Sequence, residues 1–224
     1  MKYLRLLICL LPLFLPSLAG AATYYCRNIA GTLYYKMSAW PTSSDTSATD
    51  IEAIENNLLM LDVLVLASDS YSGTQLDETD GIDSVHNYQT LRAPVSTDPA
   101  YATYAGPVVI DGTGINDHIF NLNYNGACLQ GLTIINGSNN NYALRITGTT
   151  TGQQYIDCIF ENNRQDVYCS GGNPVFTRCI FSDTVQTNSW QITGGTPTLN
   201  YCIMERAGRI NVTDNVRFLA VSCG

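Results

Sequence analysis

The feature that most constrains the fold of this chain is a repeated apolar segment in its C-terminal half. Five segments align when one apolar residue of each is placed in a common column, and successive members are 26, 21, 23 and 19 residues apart. The column contains Leu132, Cys158, Cys179, Cys202 and Val221. A period of roughly 20 to 50 residues is typical of solenoids, whose repeats stack on one another as coils.

Two neighbouring columns support this alignment. Two positions after the first column stand Ile134, Phe160, Phe181, Met204 and Cys223. Three positions before it stand Leu129, Tyr155, Phe176, Leu199 and Phe218. Because side chains two residues apart on a strand point to the same face, the first two columns predict one strand per coil whose alternate side chains face inward.

A second alternating pair follows later in each coil. The pairs are Leu144 and Ile146, Val167 and Cys169, Trp190 and Ile192, and Ile210 and Val212. Segments such as TGTTTG, SGGN and TGGT separate the strands, and glycine supplies the positive φ that tight corners need. The sequence therefore predicts an all-β protein, a parallel β-helix with short strands on each coil.

One corner of the coil carries a polar column. Four positions after the first column stand Asn136, Asn162 and Asp183, and Arg206 interrupts the series in the next coil. Stacked amides can hydrogen-bond along a solenoid and satisfy one another. We interpret Asn136 and Asn162 as part of a structural ladder rather than as a binding site.

Residues 106–224 resemble the right-handed parallel β-helix repeats of the pectate-lyase-like superfamily. The segment GPVVIDGTG at 106–114 is similar to an early coil of that superfamily, and DVLVL at 62–66 with SDSYSGT at 68–74 resembles its first coil. Upstream, DIEAIENNLLML resembles its amphipathic helix, with Ile51, Ile54, Leu58 and Leu61 on one face. The resemblance implies a right-handed parallel β-helix with an N-terminal capping α-helix.

The first residues have the pattern of a secretory signal peptide. Lys2 and Arg5 precede an apolar run from Leu6 to Leu15, and small residues follow, so we expect cleavage after Ala21. The run is shorter than the roughly 20 residues that a membrane-spanning helix needs, and no later stretch is longer. We therefore expect a secreted, periplasmic or cell-surface protein with no membrane span in the mature chain.

The predicted signal peptide, residues 1–21, begins a four-part organisation. An extended segment, the capping helix and the first strand occupy 22–73, a loop-rich insertion 74–105, and β-helix coils 106–224. Because the chain stops inside a coil, we expect these coils to be truncated at the C-terminus.

Charge limits the classes of partner. Removal of Lys2 and Arg5 with the signal leaves 9 basic against 19 acidic residues, a formal charge of −10, and no Lys/Arg cluster is present. A nucleic-acid-binding protein needs a basic patch to neutralise phosphates. We therefore expect no nucleic-acid partner.

Seven cysteines remain after cleavage. Cys158, Cys179 and Cys202 share one inward column with a spacing of about 4.8 Å, a distance at which a disulfide is possible. We favour a packed ladder of thiols over a disulfide there, while Cys26 and Cys128 could pair with each other. No metal site is expected, because the chain has no CxxC pair and only two histidines.

No catalytic or binding residue is identified from the sequence. Lyases of the superfamily use Asp clusters to hold calcium and a Lys or Arg as base, whereas Lys36 lies outside the repeats and the Arg and Asp residues of the coils read as solvated edge charges. Asp117 and His118 are adjacent acid–base candidates, but on a strand they would face opposite ways.

Three hypotheses for the function follow. The first is an exported, non-catalytic β-helix module for surface adhesion or glycan contact, the N-terminal part of a larger bacterial protein. The second is a lyase or glycoside hydrolase acting on an acidic polysaccharide, and the third is a structural spacer. No cofactor is expected, with calcium required only by a lyase, and the oligomeric state is left open.

Overall fold

Three sheets, built mainly from parallel strands, surround one apolar core in the structure of this chain. The computed structural model describes residues 21–76, 82, 89–137, 142–185, 188–205, 209–212, 217–219 and 222–223. A typical coil passes through one strand of each sheet, as in the succession Cys128–Gln130, Leu132–Ile135 and Leu144–Ile146. The predicted solenoid architecture is confirmed: the protein is predominantly β.

The first sheet has ten strands. In chain order they are β1 Thr23–Ile29, β2 Thr32–Met37, β3 Thr46–Ala48, β4 Val63–Leu66, β6 Thr90–Arg92, β9 Cys128–Gln130, β12 Gln154–Ile156, β15 Val175–Thr177, β18 Thr198–Asn200 and β21 Arg217–Leu219. Strands β1, β2 and β3 pair antiparallel, and the other pairs are parallel. The segment 74–105 thus contains β6, which lies between β4 and β9 in the sheet.

The second and third sheets have seven and five strands. The second contains β5 Asp69–Ser72, β7 Val108–Asp111, β10 Leu132–Ile135, β13 Ile159–Glu161, β16 Ile180–Ser182, β19 Ile203–Glu205 and β22 Ser222–Cys223. The third contains β8 Phe120–Leu122, β11 Leu144–Ile146, β14 Val167–Ser170, β17 Asn188–Gly194 and β20 Arg209–Val212. All pairs within these two sheets are parallel.

Inward side chains stack from coil to coil. In the second sheet, Ile134 pairs with Phe160, Phe160 with Phe181, and Phe181 with Met204. The adjoining buried column holds Leu132, Cys158, Cys179 and Cys202, each at most 1% exposed. Val221 lies outside the described residues. Stacking apolar side chains at every coil removes them from water, and this burial is the main stabilising contribution to the fold.

Aromatic rings fill the middle of the core. Phe160 stacks on Phe181 with ring centroids 4.9 Å apart, and Tyr155 stacks on Phe176 at 4.5 Å. Trp190 of the third sheet meets both Phe176 and Phe181 edge-on at 4.9 Å. One tryptophan therefore joins the inner faces of all three sheets through edge-to-face contacts.

Two corners of the coil use residues in the left-handed backbone region. Asp157, Arg178 and Tyr201 have φ of 54°, 54° and 57° between the first and second sheets. Asn136, Asn162 and Asp183 have φ of 57°, 54° and 50° after the second sheet. Asn and Asp tolerate this region better than other non-glycine residues, which explains their recurrence at the second corner.

Helices are few. An α-helix spans Ile51–Glu55, a 3-10 helix Gly73–Leu76 and a second short α-helix Tyr101–Tyr104. Among the described residues, no helix has the length and apolar character needed to cross a bilayer. Asp50 begins the first helix, where its side chain accepts a 2.6 Å hydrogen bond from the amide of Ala53.

The first helix is shorter than the sequence pattern predicts. The expectation that Leu61 shares its buried face is wrong: Leu61 is 48% exposed with φ of 76°. After Glu55, side chains take the place of further helical hydrogen bonds. The side chain of Gln89 donates to the carbonyls of Leu58 and Leu59. The carboxylate of Asp62 accepts from the amide of Leu59. Two asparagines, poor helix formers, follow Glu55 at the point where the helix ends.

Candidate functional site

The outer face of the third sheet carries a continuous polar column. Leu144, Val167 and Trp190 point inward, so the residue that follows each of them points outward. Pairing of the strands then aligns five outward residues on successive coils: Asn121, Arg145, Tyr168, Gln191 and Asn211. We call this set the third-sheet face.

Hydrogen bonds fix the conformation of this face. The hydroxyl of Thr193 donates to the hydroxyl of Tyr168 at 3.3 Å, and Nη1 of Arg145 lies 3.4 Å from Oδ1 of Asn121. Tyr168, Arg145 and Asn121 are all partly exposed. The face therefore presents a phenol ring, a guanidinium group and amides to solvent at neighbouring positions.

Two buried residues pack at the edge of the third-sheet face: Tyr142 contacts the face, and His118 stacks on Tyr142. The ring of Tyr142 lies 5.3 Å from the ring of Tyr168, and its hydroxyl donates a short hydrogen bond to the side-chain oxygen of Gln191. Gln165 donates to the same hydroxyl at 3.3 Å. Tyr142 is only 8% exposed, so it positions Tyr168 and Gln191 rather than offering a free surface of its own.

His118 is held neutral in this cluster. Burial lowers the pKa of His118 below its usual value, and the charge of Arg145 acts in the same direction while Asp117 opposes it. Nδ1 of His118 accepts a 2.9 Å hydrogen bond from the amide of Tyr142, so the ring proton belongs on Nε2. Nε2 lies 3.5 Å from Oδ1 of Asp117.

The expectation that Asp117 and His118 face opposite ways is therefore wrong. Both residues lie in the turn before β8, where the alternation of a strand does not apply. Asp117 helps to orient a buried imidazole that stacks against Tyr142 at 6.0 Å.

A second polar surface lies at the end of the second sheet. A groove of about 550 Å³ is lined by Ile135, Asn136, Glu161, Asn162 and Asp183. Nδ2 of Asn162 donates to Oδ1 of Asn136 at 2.9 Å, and Nδ2 of Asn136 donates to Oδ1 of Asp111 at 2.9 Å. The amides of Asn136 and Asn162, predicted to form a ladder at this corner, thus line the groove.

The carboxyl group at the end of this ladder is ionised. Burial alone would raise the pKa of Asp111, but hydrogen bonds from Asn136 and Thr113 outweigh it and lower the pKa below its usual value. Asp111 therefore acts as a fixed acceptor for the ladder.

Among the coil residues whose side chains the structure describes, Asp157, Asp166 and Asp183 do not come together as one catalytic group. Asp157 forms a two-point ion pair with Arg178 at the first corner, with contacts of 2.6 and 2.7 Å, while Asp183 faces the groove and Asp166 is buried. Lys36 pairs with Asp45 at the N-terminal end of the chain. Within the described ranges, no group of three or more His, Cys, Asp or Glu side chains is arranged to hold a metal ion.

The cysteines whose side chains are described carry free thiols: Cys26, Cys128, Cys158, Cys169, Cys179 and Cys202. Sγ of Cys158, Cys179 and Cys202 lies 3.3 to 3.6 Å from a backbone carbonyl of the preceding coil. Contact with the neighbouring Cys158 thiol and burial raise the pKa of Cys179. Cys26 and Cys128 stand on β1 and β9, with β4 and β6 between them, a separation of about 14 Å that is too long for a disulfide.

Sequence reasoning overlooked Tyr168, Gln191 and Asn121. Their position in the sequence could have indicated them, because each lies between two inward residues of a third-sheet strand and must therefore point outward. Tyr142 gives no comparable signal because it lies in a turn outside the strands, and His118, also in a turn, stood out only as the neighbour of Asp117.

These features define the chain as a parallel β-solenoid protein with a polar outer face on its third sheet. Comparison with protein-family models, curated proteins and solved structures gives no match in any of the three.

Proposed function

We propose that this chain is an exported, non-catalytic β-solenoid module that contacts glycans through the third-sheet face. The observation that carries the proposal is the outward alignment of Arg145, Tyr168 and Gln191 on consecutive coils. A tyrosine ring packs on the apolar face of a sugar, and amide and guanidinium groups hydrogen-bond its hydroxyls. The underlying Tyr142 and His118 favour binding because they hold the face in place before a ligand arrives.

The test is a binding and cleavage screen of the purified mature chain. A panel of neutral and acidic polysaccharides is tried with and without calcium, and binding, unsaturated-product absorbance and reducing ends are read together. We expect binding without cleavage. Tyr168→Ala should weaken binding about tenfold, whereas Tyr201→Ala, an exposed tyrosine on another corner, should leave it unchanged. Equal loss in both variants, or no binding to any polysaccharide, would refute the third-sheet face as a glycan site.

A lyase or glycoside hydrolase is the second candidate, and the groove of the second sheet favours it. Glu161 and Asp183 both line the groove, and paired carboxylates are the usual acid–base groups of glycoside hydrolysis. Cleavage that is lost in Glu161→Gln and in Asp183→Asn, but retained in Tyr168→Ala, would establish this alternative. Activity that also disappears with a chelator would identify a calcium-dependent lyase. The third possibility, a structural spacer, is favoured if neither binding nor cleavage is found.

Export is part of the proposal and depends on the sequence pattern. Residues 1–20 lie outside the described residues, and Ala21 is the first described position. N-terminal sequencing of the protein recovered outside the cytoplasm should begin at Ala22. An intact N-terminus on the exported protein would refute the predicted cleavage site. The location, secreted, periplasmic or cell-surface, follows from fractionation of the same cells.

We also propose that the coil is right-handed and that the first helix caps its N-terminal end. Parallel crossovers are almost always right-handed, and Ile51 and Ile54 of the helix are fully buried against the core. Such a cap covers apolar side chains that an open coil would expose. Ile54→Asp should therefore cause association of the chain in solution, measured by light scattering, while Glu52→Gln should not.

A further inference from the structure

Asp166 is a buried carboxyl group at the entrance to the third sheet. It is fully shielded from solvent, directly before β14. Its Oδ2 accepts a 2.6 Å hydrogen bond from the hydroxyl of Thr184, and its Oδ1 accepts one of 3.3 Å from Nδ2 of Asn163. Among the described residues no cation contacts this carboxyl, so a negative charge here would be buried without a counterion.

The residues stacked above and below Asp166 carry no charge. The pairing of Leu144 with Val167 and of Val167 with Trp190 places Ala143 on one side of Asp166 and Ser189 on the other. The side chain of Ala143 and the hydroxyl of Ser189, which is buried without a hydrogen-bond partner among the described residues, are both uncharged, so neither neutralises a carboxylate at Asp166.

Asn163 connects this carboxyl to the coil below. Its Nδ2 also donates to the carbonyl of Ile134 at 3.0 Å, and its Oδ1 accepts from the amide of Gly137 at 2.8 Å. Asp166 therefore closes a buried network that joins the turn before β14 to the turns on the neighbouring coils. Tyr168 lies two residues beyond it.

Within the part of the chain that the structure describes, the ionisable groups on the surrounding elements form no ion pair with Asp166. They are Arg145, Glu161, Arg164, Tyr168, Cys169 and Asp183, together with Tyr142 and His118 at the edge of the third-sheet face. Burial raises the pKa of Asp166 to about 7, against the opposing effect of the hydrogen bonds from Thr184 and Asn163.

We propose that Asp166 is a proton-dependent lock on the corner where the turns of Asn163 and Thr184 meet. At mildly acidic pH the neutral carboxyl keeps the two turns together. Ionisation of the carboxyl loosens this corner and the adjacent third-sheet face. The effect on glycan contact depends on the proposed function, whereas the lock itself does not.

The direction in which stability changes with pH follows from the number of protons bound by the folded and unfolded chains. Between about pH 4 and pH 7 the folded chain keeps the proton that the unfolded chain has lost, so stability falls as pH rises through this window and is flat above it. His118 acts in the opposite direction, because its lowered pKa makes the unfolded chain take up the proton first as pH falls. Comparison with an Asp166 variant therefore separates the two groups.

The direct test is a carbon NMR titration of the Asp166 carboxyl in the full mature chain, with amide hydrogen exchange at Val167 and Tyr168. We expect a titration midpoint near pH 7 and a loss of protection of about tenfold between about pH 6 and pH 8, after correction for intrinsic exchange. In Asp166→Asn, which keeps an acceptor oxygen for Thr184 or Asn163 and cannot ionise, the pH dependence should disappear. The matched control Asp183→Asn, at an exposed groove position, should keep it.

A midpoint below about pH 5, or the same pH dependence in Asp166→Asn as in the wild type, would overturn the lock. The titration of the wild type decides the question even if that variant does not fold. Thr184→Val provides a second variant: loss of its hydrogen bond should move the midpoint above that of the wild type. Because these measurements need no polysaccharide, failure of the lock and failure of glycan binding are distinguished.

Discussion

The guanidinium group of Arg92 holds the carboxyl group of Asp98 with two hydrogen bonds, 2.6 Å from Nη1 to Oδ2 and 2.8 Å from Nη2 to Oδ1. Asp98 also accepts from the amide of Val95 at 2.7 Å and from the hydroxyl of Tyr25 at 3.2 Å. The pair ties the chain after β6 to the outer face of the first sheet.

Replacing Asp98 with Asn should destabilise the fold by about 3 kcal/mol, because Arg92 would keep a buried charge without its partner. The free energy of unfolding in urea measures this loss. Asp45→Asn is the control, since its ion pair with Lys36 is much more exposed and its removal should change stability little.

The same pair predicts a pH dependence. Burial alone would raise the pKa of Asp98, but the hydrogen bonds from Arg92 and Val95 outweigh it and lower the pKa below its usual value. This contribution to stability is complete above the unfolded-state pKa of about 4 and is lost as pH falls through the lower folded-state value. A wild-type stability profile in that acidic range should be steeper than that of Asp98→Asn.

The aromatic core should be sensitive at Phe181. Its ring packs between Phe160 and Trp190, at 4.9 Å from each. Phe181→Ala removes both contacts and leaves a cavity, which typically costs about 3 to 5 kcal/mol. Val185→Ala, at a side chain that is 69% exposed, should cost little. Equal effects in urea unfolding would contradict this packing.

The amide ladder should depend on both backbone conformation and side chain at Asn162. Asn162→Ala loses the 2.9 Å hydrogen bond to Asn136 and places a Cβ-bearing residue without local hydrogen bonds at φ of 54°, for a total of about 1 to 2 kcal/mol. Asn162→Gly loses the hydrogen bond but adopts positive φ freely, so it should be less harmful. Thermal unfolding of the two variants separates the effects, and the reverse order would show that the backbone is unstrained there.

The inward cysteines should resist alkylation in the folded protein. Burial raises the pKa of Cys26. The neighbouring Cys179 thiol and burial raise the pKa of Cys202. Few thiolates therefore form at these positions. Mass spectrometry after treatment with iodoacetamide should find Cys128, which is partly exposed, modified before the buried thiols. Recovery of a Cys158–Cys179 disulfide from the native protein would contradict the free-thiol core.

The amino-acid sequence by itself determined the repeat and its inward residues. Apolar positions at Leu132, Ile134 and their counterparts recur once per coil, and burial selects a register in which they stack, since a one-residue shift would turn them to solvent. The corner asparagines are also visible in the sequence, because few other residues tolerate a left-handed backbone.

Only the tertiary structure decided which polar groups meet. Tyr142 and Gln191 are 49 residues apart and touch because two successive coil repeats return the chain to the same edge. The burial of Asp166 likewise depends on the path of the turn before β14 and on Thr184 from the next coil. Alternation along a strand predicts which face a side chain occupies, but turn conformation and coil length set contacts between turns, and neither follows from local hydrophobic pattern.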